Sequence, residues 1–336
     1  MPMSSSSFDS SGSSDVTPSP DSFNQTVIEE FRANGGRVGG PFEGGDLLLL
    51  TTVGVRSGRE HTVPLGFVRA EGLLLVVASA AGAAEDPQWY RNLLARPVVR
   101  VELGEEAFDA IAVPAEGARR DRLFAAVVRA APGYGDYQRH TERVLPVVVL
   151  EHTGADVPPR EIAGLADRIL EAHDWLRAQL RHLRAETEAH FADGGGARVP
   201  SLGLQIRQHC LAFCQGLTAH HSGEDRGVFP ALARSHPQLR GVLERLAEEH
   251  RTLSGLKDGL AALVAGIGTA EPGAFRAELA RMTAALEAHL AHEERELLPA
   301  LAGIPFPPAP APAPATAPSP APEPSPEPSP TAAPHR

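Results

Sequence analysis

Lysine is nearly missing from this 336-residue chain: Lys257 is the only one, and arginine supplies the rest of the positive charge. With 31 basic against 42 acidic residues the formal charge is −11, which argues against a nucleic-acid partner. Cysteine is scarce too. Cys210 and Cys214 lie four apart, on one face of any helix, and read as two small buried thiols in a reducing compartment. The opening "MPMSSSSFDSSGSSD" has neither a basic start nor an apolar core, so no secretion signal is expected. The longest apolar run, "GLLLVVASAAGAA" (72–84), is too short to span a bilayer. No Ser-His-Asp set and no Walker phosphate loop occurs. These absences predict a soluble, cytoplasmic protein without a transmembrane segment.

What is present falls into blocks of different texture. Residues 1–21 are Ser-rich and residues 305–336 are Pro/Ala-rich; neither can build a core, and both are expected to be disordered. Residues 22–154 carry six short apolar runs, at 46–53, 62–69, 73–79, 98–103, 107–114 and 145–151, separated by Gly and charged turns. Helical stretches interrupt them near 22–34, 87–96 and 116–131. Six strands with few helices predict a small closed or split β-barrel. In residues 155–304 the breakers retreat to "ADGGGARVP" (192–200), "SHP" (235–237) and "GIGTAEPG" (266–273). Four long helices joined by short connections predict an up-down four-helix bundle. The expected class is therefore multidomain α+β, a split barrel followed by a bundle, with "HTGADVPPR" (152–160) as the hinge.

Each bundle helix places a histidine in its apolar stripe: His173, His220, His250 and His289. Two helices add a glutamate one turn later on the same face, Glu224 and Glu293. One such histidine is ordinarily a hydrogen-bonded core residue. Four of them with two inward carboxylates call for a cation, because unpaired buried carboxylates cost several kcal/mol each. Imidazole with carboxylate suits iron, zinc or manganese, and the number of ligands fits two metals bridged by carboxylates. His221 adjoins His220 and is a candidate ligand as well. Asp225 and Glu294 read as hydrogen-bond acceptors behind the ligands or as surface charges. His182, His190, His209, His236 and His292 are assigned to the surface or to that outer layer.

The set "HHSGE" (220–224), "EEHRTL" (248–253) and "HLAHEERELLP" (289–299), with His173 before "DWLRAQL", resembles the hemerythrin-like HHE cation-binding family. That resemblance implies an oxo-bridged di-iron centre able to bind dioxygen or to respond to oxidants. It carries His173, His220, Glu224, His250, His289 and Glu293 over as ligands, with the two glutamates as bridges. Oxygen-carrying members use five histidines; here helix three has Ser254 where another would stand, so His221 or an open position completes the set.

In the strand block, "TTVGVRSGREHTVPL" (51–65) sets Gly54 and Gly58 around Arg56, Ser57 and Arg59. Glycines let a loop approach an anion, which N–H groups and guanidinium forks then bind; a plain charged hairpin is the alternative. Together with "DPQWYRNLLARPVVRVELG" (86–104) and "PGYGDYQRHTERVLPVVVLE" (132–151), this block resembles the deazaflavin-dependent nitroreductase family. The resemblance implies a flavin-reductase-like split barrel and the 8-hydroxy-5-deazaflavin coenzyme (coenzyme F-420). It places Thr52, Arg56, Ser57, Gly58, Arg59, His61, Pro64 and Ser79 at the cofactor, and Trp89, Tyr134 and Tyr137 at the ring and substrate pocket. His61 stands where the family usually has arginine, and Ala80-Ala81 where Asn-Gly is usual.

The implied activity is hydride transfer to a small-molecule acceptor: a quinone, a nitro compound or an activated alkene. The bundle would meet dioxygen or a related oxidant, and related barrels suggest pairing into a homodimer. A cofactor-binding protein without turnover, joined to an iron or oxygen sensor, is the alternative.

Overall fold

A computed structural model describes residues 20–153, 162–192 and 203–304. The Ser-rich start, nearly all of the hinge segment and the Pro-rich tail lie outside those residues. Helix α1 (Pro20–Ala33) begins two residues before the expected boundary. Six antiparallel strands follow: β1 (Leu47–Val53), β2 (Glu60–Ala70), β3 (Leu73–Val77), β4 (Val98–Leu103), β5 (Glu106–Pro114) and β6 (Val147–His152). They close in the order β1-β2-β3-β6-β5-β4.

The continuous run Leu47–Leu50 is explained by cover on both faces. Leu48 and Leu50 point into the barrel with Leu74, Val76, Val101, Ala110, Ala112 and Val148. Leu47 and Leu49 point outward under Val27, Ile28 and Phe31 of α1. Likewise Leu75, Val77 and Val149 face outward beneath Leu123 and Val127 of α3 (Gly117–Ala130). The barrel is parted on one side. β3 joins β2 only from Phe67 onward, while β1 follows β2 back to Glu60. Pro64, which has no N–H to donate, pairs with Leu49 in the stretch where β3 is absent. Two more helices serve this half: α2 (Gln88–Ala95), whose Trp89, Tyr90 and Leu93 pack into the barrel interior, and α4 (Gly133–Arg139), which the sequence pattern did not predict.

The bundle consists of α5 (Leu165–Ala192), α6 (Gly203–Gly223), α8 (Arg240–Ala265) and α9 (Pro272–Leu301). Between α6 and α8 the chain runs through a π-helical turn, Glu224–Val228, into the short α7 (Phe229–Ser235). Helix α9 starts on a built cap: the Glu271 carboxylate accepts from the N–H groups of Gly273 and Ala274. Both cysteines are free and packed in the bundle core. Barrel and bundle touch where Ile111 and Val113 of β5 pack on Ala212, and where buried Gln208 donates to the carbonyl of Leu93 (3.1 Å). Among the described residues no helix is long and apolar enough to cross a membrane.

Close packing at Gly216 gives a first prediction. A Cβ there would lie 2.1 Å from the Trp175 ring, so Gly216→Ala is expected to destabilise the bundle by about 1–3 kcal/mol, read as a lower denaturation midpoint. An unchanged midpoint would mean the ring moves aside freely.

Candidate metal centre and cofactor loop

Seven buried or nearly buried side chains converge at the middle of the bundle, and they sort into two groups. His221, His250 and His289 form one; His173, His220, Glu224 and Glu293 form the other. Helix geometry explains how adjacent histidines serve both. His220 and His221 are a 100° step apart on α6, and Glu224 projects between those two directions one turn later. The π-turn starts at that glutamate; such widened turns are frequent at functional sites.

The separations are those of groups around shared ions. Glu224 turns Oε1 to His220 Nε2 (3.4 Å) and Oε2 to His250 Nε2 (3.7 Å). Glu293 Oε2 faces His173 Nε2 (3.6 Å), His289 Nε2 (3.6 Å) and His220 Nε2 (3.9 Å). Each carboxylate thus addresses both groups, which is what a bridging ligand does.

An outer ring of carboxylates fixes the imidazoles. His173 Nδ1 donates to Glu294, His250 Nδ1 to Asp225 and His289 Nδ1 to Glu249, each at 2.8 Å. A carboxylate only accepts, so Nδ1 holds the proton and Nε2 turns a bare lone pair inward. Glu249 also accepts from His292 Nδ1 (2.9 Å), and Arg177 holds Glu294 from behind (2.7 Å). Glu249 and Arg177 are not singled out by the sequence reading. The signal was available for Glu249, which directly precedes His250 on the helix facing α9.

The donor set fits metal. Nε2 of His221, His250 and His289 and both oxygens of Glu224 and Glu293 are buried without a hydrogen-bond partner. Nε2 of His173 and Nε2 of His220 stand 2.9 Å apart. That spacing suits an N–H···N hydrogen bond between the rings and equally two adjacent ligands on one ion about 2.1 Å away. Burial lowers His220 to about 3 and His221 to about 2, with neighbouring imidazoles adding to the effect, so both stay neutral and able to ligate. Burial, then the charge of Glu293, pushes Glu224 up to about 11. Burial would raise Glu293 too, but the His173 imidazole, the protonated Glu224 and the His220 imidazole around it hold it low. Without a cation the pair therefore keeps a proton.

A cavity of about 490 Å³ between barrel and bundle reaches this centre at His220; Val98, Asp109, Trp175, Gln215 and Gly216 also line it.

In the barrel, Gly54 and Gly58 close the β1–β2 turn: Gly58 N–H donates to Gly54 O (2.9 Å), and Gly58 adopts φ +65°. Ser57 Oγ accepts from Arg59 N–H (3.2 Å) and meets His61 Nε2 at 3.4 Å. Arg56 and Arg59 are exposed, and among the described residues no carboxylate pairs with them. Thr52 is buried and accepts from Asn92 Nδ2 (3.1 Å), while Asn92 Oδ1 accepts from Val55 N–H (3.4 Å). Asn92, absent from the sequence reading, is what anchors the loop to α2. Asn92→Ala strands these groups, so a loss of about 1–3 kcal/mol in unfolding free energy is expected; no loss would remove this anchoring role.

Tyr134 Oη donates to Gly66 O (3.3 Å) at the parted side of β2, and Tyr137 meets Tyr134 edge-on at 6.0 Å. Tyr137 also closes on Gly82, at the end of the turn that follows Ser79. Arg143 clamps that turn by donating to the carbonyls of Ser79 (2.6 Å) and Ala83 (2.7 Å). Trp89 does not join them: it is 7% exposed, packed with the barrel interior and edge-on to Tyr90. The apolar side of α2 pulls the indole inward. Ala80 (φ +46°) and Ala81 (φ +51°) occupy left-handed conformations that suit Asn and Gly. Ala81→Gly should therefore stabilise the barrel by about 1 kcal/mol; a decrease would contradict the strain.

His209 corrects its assignment to the surface or outer layer. It is 2% exposed and stands well away from the metal centre, beside Glu151, His182 and Glu186. His190, His236 and His292 are half-buried.

Residues 24–152 match the family model for F420H(2)-dependent quinone reductase, and residues 164–301 match that for the Hemerythrin HHE cation binding domain. A quinone reductase of this name from Mycobacterium tuberculosis is 36% identical over 124 residues, 36% of this chain and 83% of that protein. A second protein of that organism, named for the same activity, is 38% identical over 103 residues, 31% of this chain and 87% of its own length. A solved F420-H2 dependent reductase structure is 37% identical, covering 32% of this chain and 94% of that chain at a TM-score of 0.30. On the family models and the two Mycobacterium tuberculosis relatives, the chain belongs to the F420H(2)-dependent quinone reductase family, with a hemerythrin HHE domain following the reductase barrel.

Proposed function

We propose that the barrel is a deazaflavin-dependent reductase of quinone, nitro or activated-alkene acceptors, and that the bundle binds an oxidant or senses it at a di-iron centre. The boundary between the two functions falls within 154–161. The reduced deazaflavin supplies a hydride when bound. Arg56, Arg59 and the Gly54–Gly58 turn would hold its anionic tail, with Thr52, Ser57, His61, Pro64 and Ser79 around it. Tyr137, and Tyr134 once it releases the Gly66 carbonyl, would donate to negative charge growing on the acceptor. In the bundle, His221, His250 and His289 would hold one iron and His173 and His220 the other, with Glu224 and Glu293 between them. An iron pair supplies redox equivalents for meeting an oxidant.

The observation that supports this reading best is the facing pair His173 and His220. Nδ1 of His173 is committed to a carboxylate, and the two Nε2 atoms meet at 2.9 Å. Protein from iron-replete cells should carry close to two irons per chain, and it should oxidise reduced deazaflavin with menadione above background. Iron far below that level defeats the metal half; absence of turnover defeats the enzymatic half. The second outcome would favour a cofactor-binding protein, a reading supported by the strained alanines at 80 and 81 where relatives are expected to carry Asn-Gly.

A further inference from the structure

A second convergence of ligand-type side chains lies outside the di-metal centre, where the bundle meets the barrel. His182 and Glu186 come from α5, His209 from α6 and Glu151 from β6. His182 is nine residues beyond His173 on the same helix, about 14 Å along its axis, so the two clusters share no ion.

His209 Nε2 lies 3.2 Å from Glu151 Oε2 and 3.5 Å from Glu186 Oε1, and His182 Nε2 lies 3.2 Å from that same Glu186 oxygen. Glu151, His182 and His209 each bring one ligand atom within 4.8 Å of the others. Neither ring nitrogen of His209 makes a well-formed hydrogen bond, nor does Glu186 Oε2, although His209 is 2% and Glu186 7% exposed. Leaving such groups unsatisfied away from water is costly. Nitrogen and oxygen ligands held 2.0–2.1 Å from a tetrahedral zinc ion sit about 3.3 Å apart. The three measured separations lie on either side of that value. Two imidazoles with two carboxylates, and no thiolate, match the ligand preference of zinc-class divalent ions.

We propose that Glu151, His182, Glu186 and His209 form a structural divalent-cation site of the zinc class that fastens the barrel to the bundle. The metal-free competitor is a protonated His209 paired with the two carboxylates. Arg119, with Nη2 3.9 Å from Glu151 Oε1, and Gln205, which donates to Glu186, are the neighbouring polar groups. They compensate part of the carboxylate charge and make no hydrogen bond to the ring nitrogens of His209. Glu151, His182 and His209 bring three ligand atoms together, and Glu186, next to both imidazoles, would turn to complete the shell, which suits a structural ion.

Co(II) is the probe, because its visible d–d absorption reports tetrahedral nitrogen and oxygen ligation. Iron-loaded full-length protein is titrated with it. The expected result is one further equivalent with tetrahedral bands, abolished in His209→Gln and in Glu151→Gln, with iron content unchanged. Glu151 is on the barrel rim with its side chain 27% exposed, so that variant guards against a folding defect at buried His209. Adding that equivalent should raise the thermal midpoint of iron-loaded wild type and leave that of iron-loaded Glu151→Gln unmoved. No saturable uptake by wild type, or uptake and bands surviving both substitutions, overturns the site. Iron measured on the same samples reports the di-metal centre separately, so either reading can fail alone.

Discussion

Replacing Glu293 by alanine should leave the bundle without iron. Its carboxylate is fully buried, and its Oε2 faces His173, His220 and His289, members of both ligand groups. Glu224 alone would be left to span the two groups, too few ligands for a pair of ions, so iron is expected to fall from about two equivalents to near zero. Stability separates this reading from a packing effect. An ion present at 1,000 times its dissociation constant adds about 4 kcal/mol to the folded state, and the variant should lose that increment. Compared without metal, the order should reverse or vanish. Alanine removes a buried carboxylate that faces another, Glu224, which burial and repulsion already force to keep its proton. Denaturation of both proteins with and without iron checks this. A variant that keeps its iron, or that is weaker by the same amount in both states, sinks the metal assignment.

The second large effect is expected at the basic turn. Arg56→Ala and Arg59→Ala should each raise the KM for reduced deazaflavin roughly 10- to 100-fold, the equivalent of one charge-assisted hydrogen bond worth about 1.5–3 kcal/mol. Both guanidinium groups are exposed, and among the described residues no carboxylate satisfies them, so they are available to an anion. The tail lies away from the transferred hydride, so the loss is of uniform binding and kcat should change little. Raising salt should weaken binding to wild type and have less effect on the double variant. Steady-state kinetics with menadione read all three quantities. An unchanged KM in the double variant would place the tail elsewhere; a collapse of kcat at unchanged KM would give the arginines another task.

Much of this architecture is written locally. The six strands lie within a few residues of their apolar runs, because a run such as Leu47–Leu50 can be buried only when covered on both sides. Helix α4 is the exception. "GYGDYQR" has two glycines and no apolar stripe, and what holds it is Tyr134 packed on the Leu123–Val127–Leu145 cluster and Gln138, which accepts from Arg120 and from Leu145 N–H. The convergence of the candidate ligands was legible for a similar reason: His and Glu four apart share a helix face whatever that helix later meets.

Position across the fold was not legible. His209 and His220 belong to one apolar stripe of α6, yet one ends beside Glu151 of the barrel and the other in the bundle centre. Trp89 and Tyr134 both sit in segments that resemble pocket walls, but one is drawn into the barrel interior while the other reaches Gly66 on the parted side of β2.

By itself, then, the sequence determined the element types, the two-block organisation and the residues able to ligate, since periodicity and spacing are properties of a single segment. Only the tertiary structure decided which imidazoles share a group, which carboxylates stand behind them, and that His182 and His209 meet the barrel. Those outcomes depend on how separate segments lie side by side, and lateral packing across long stretches of chain leaves no local trace.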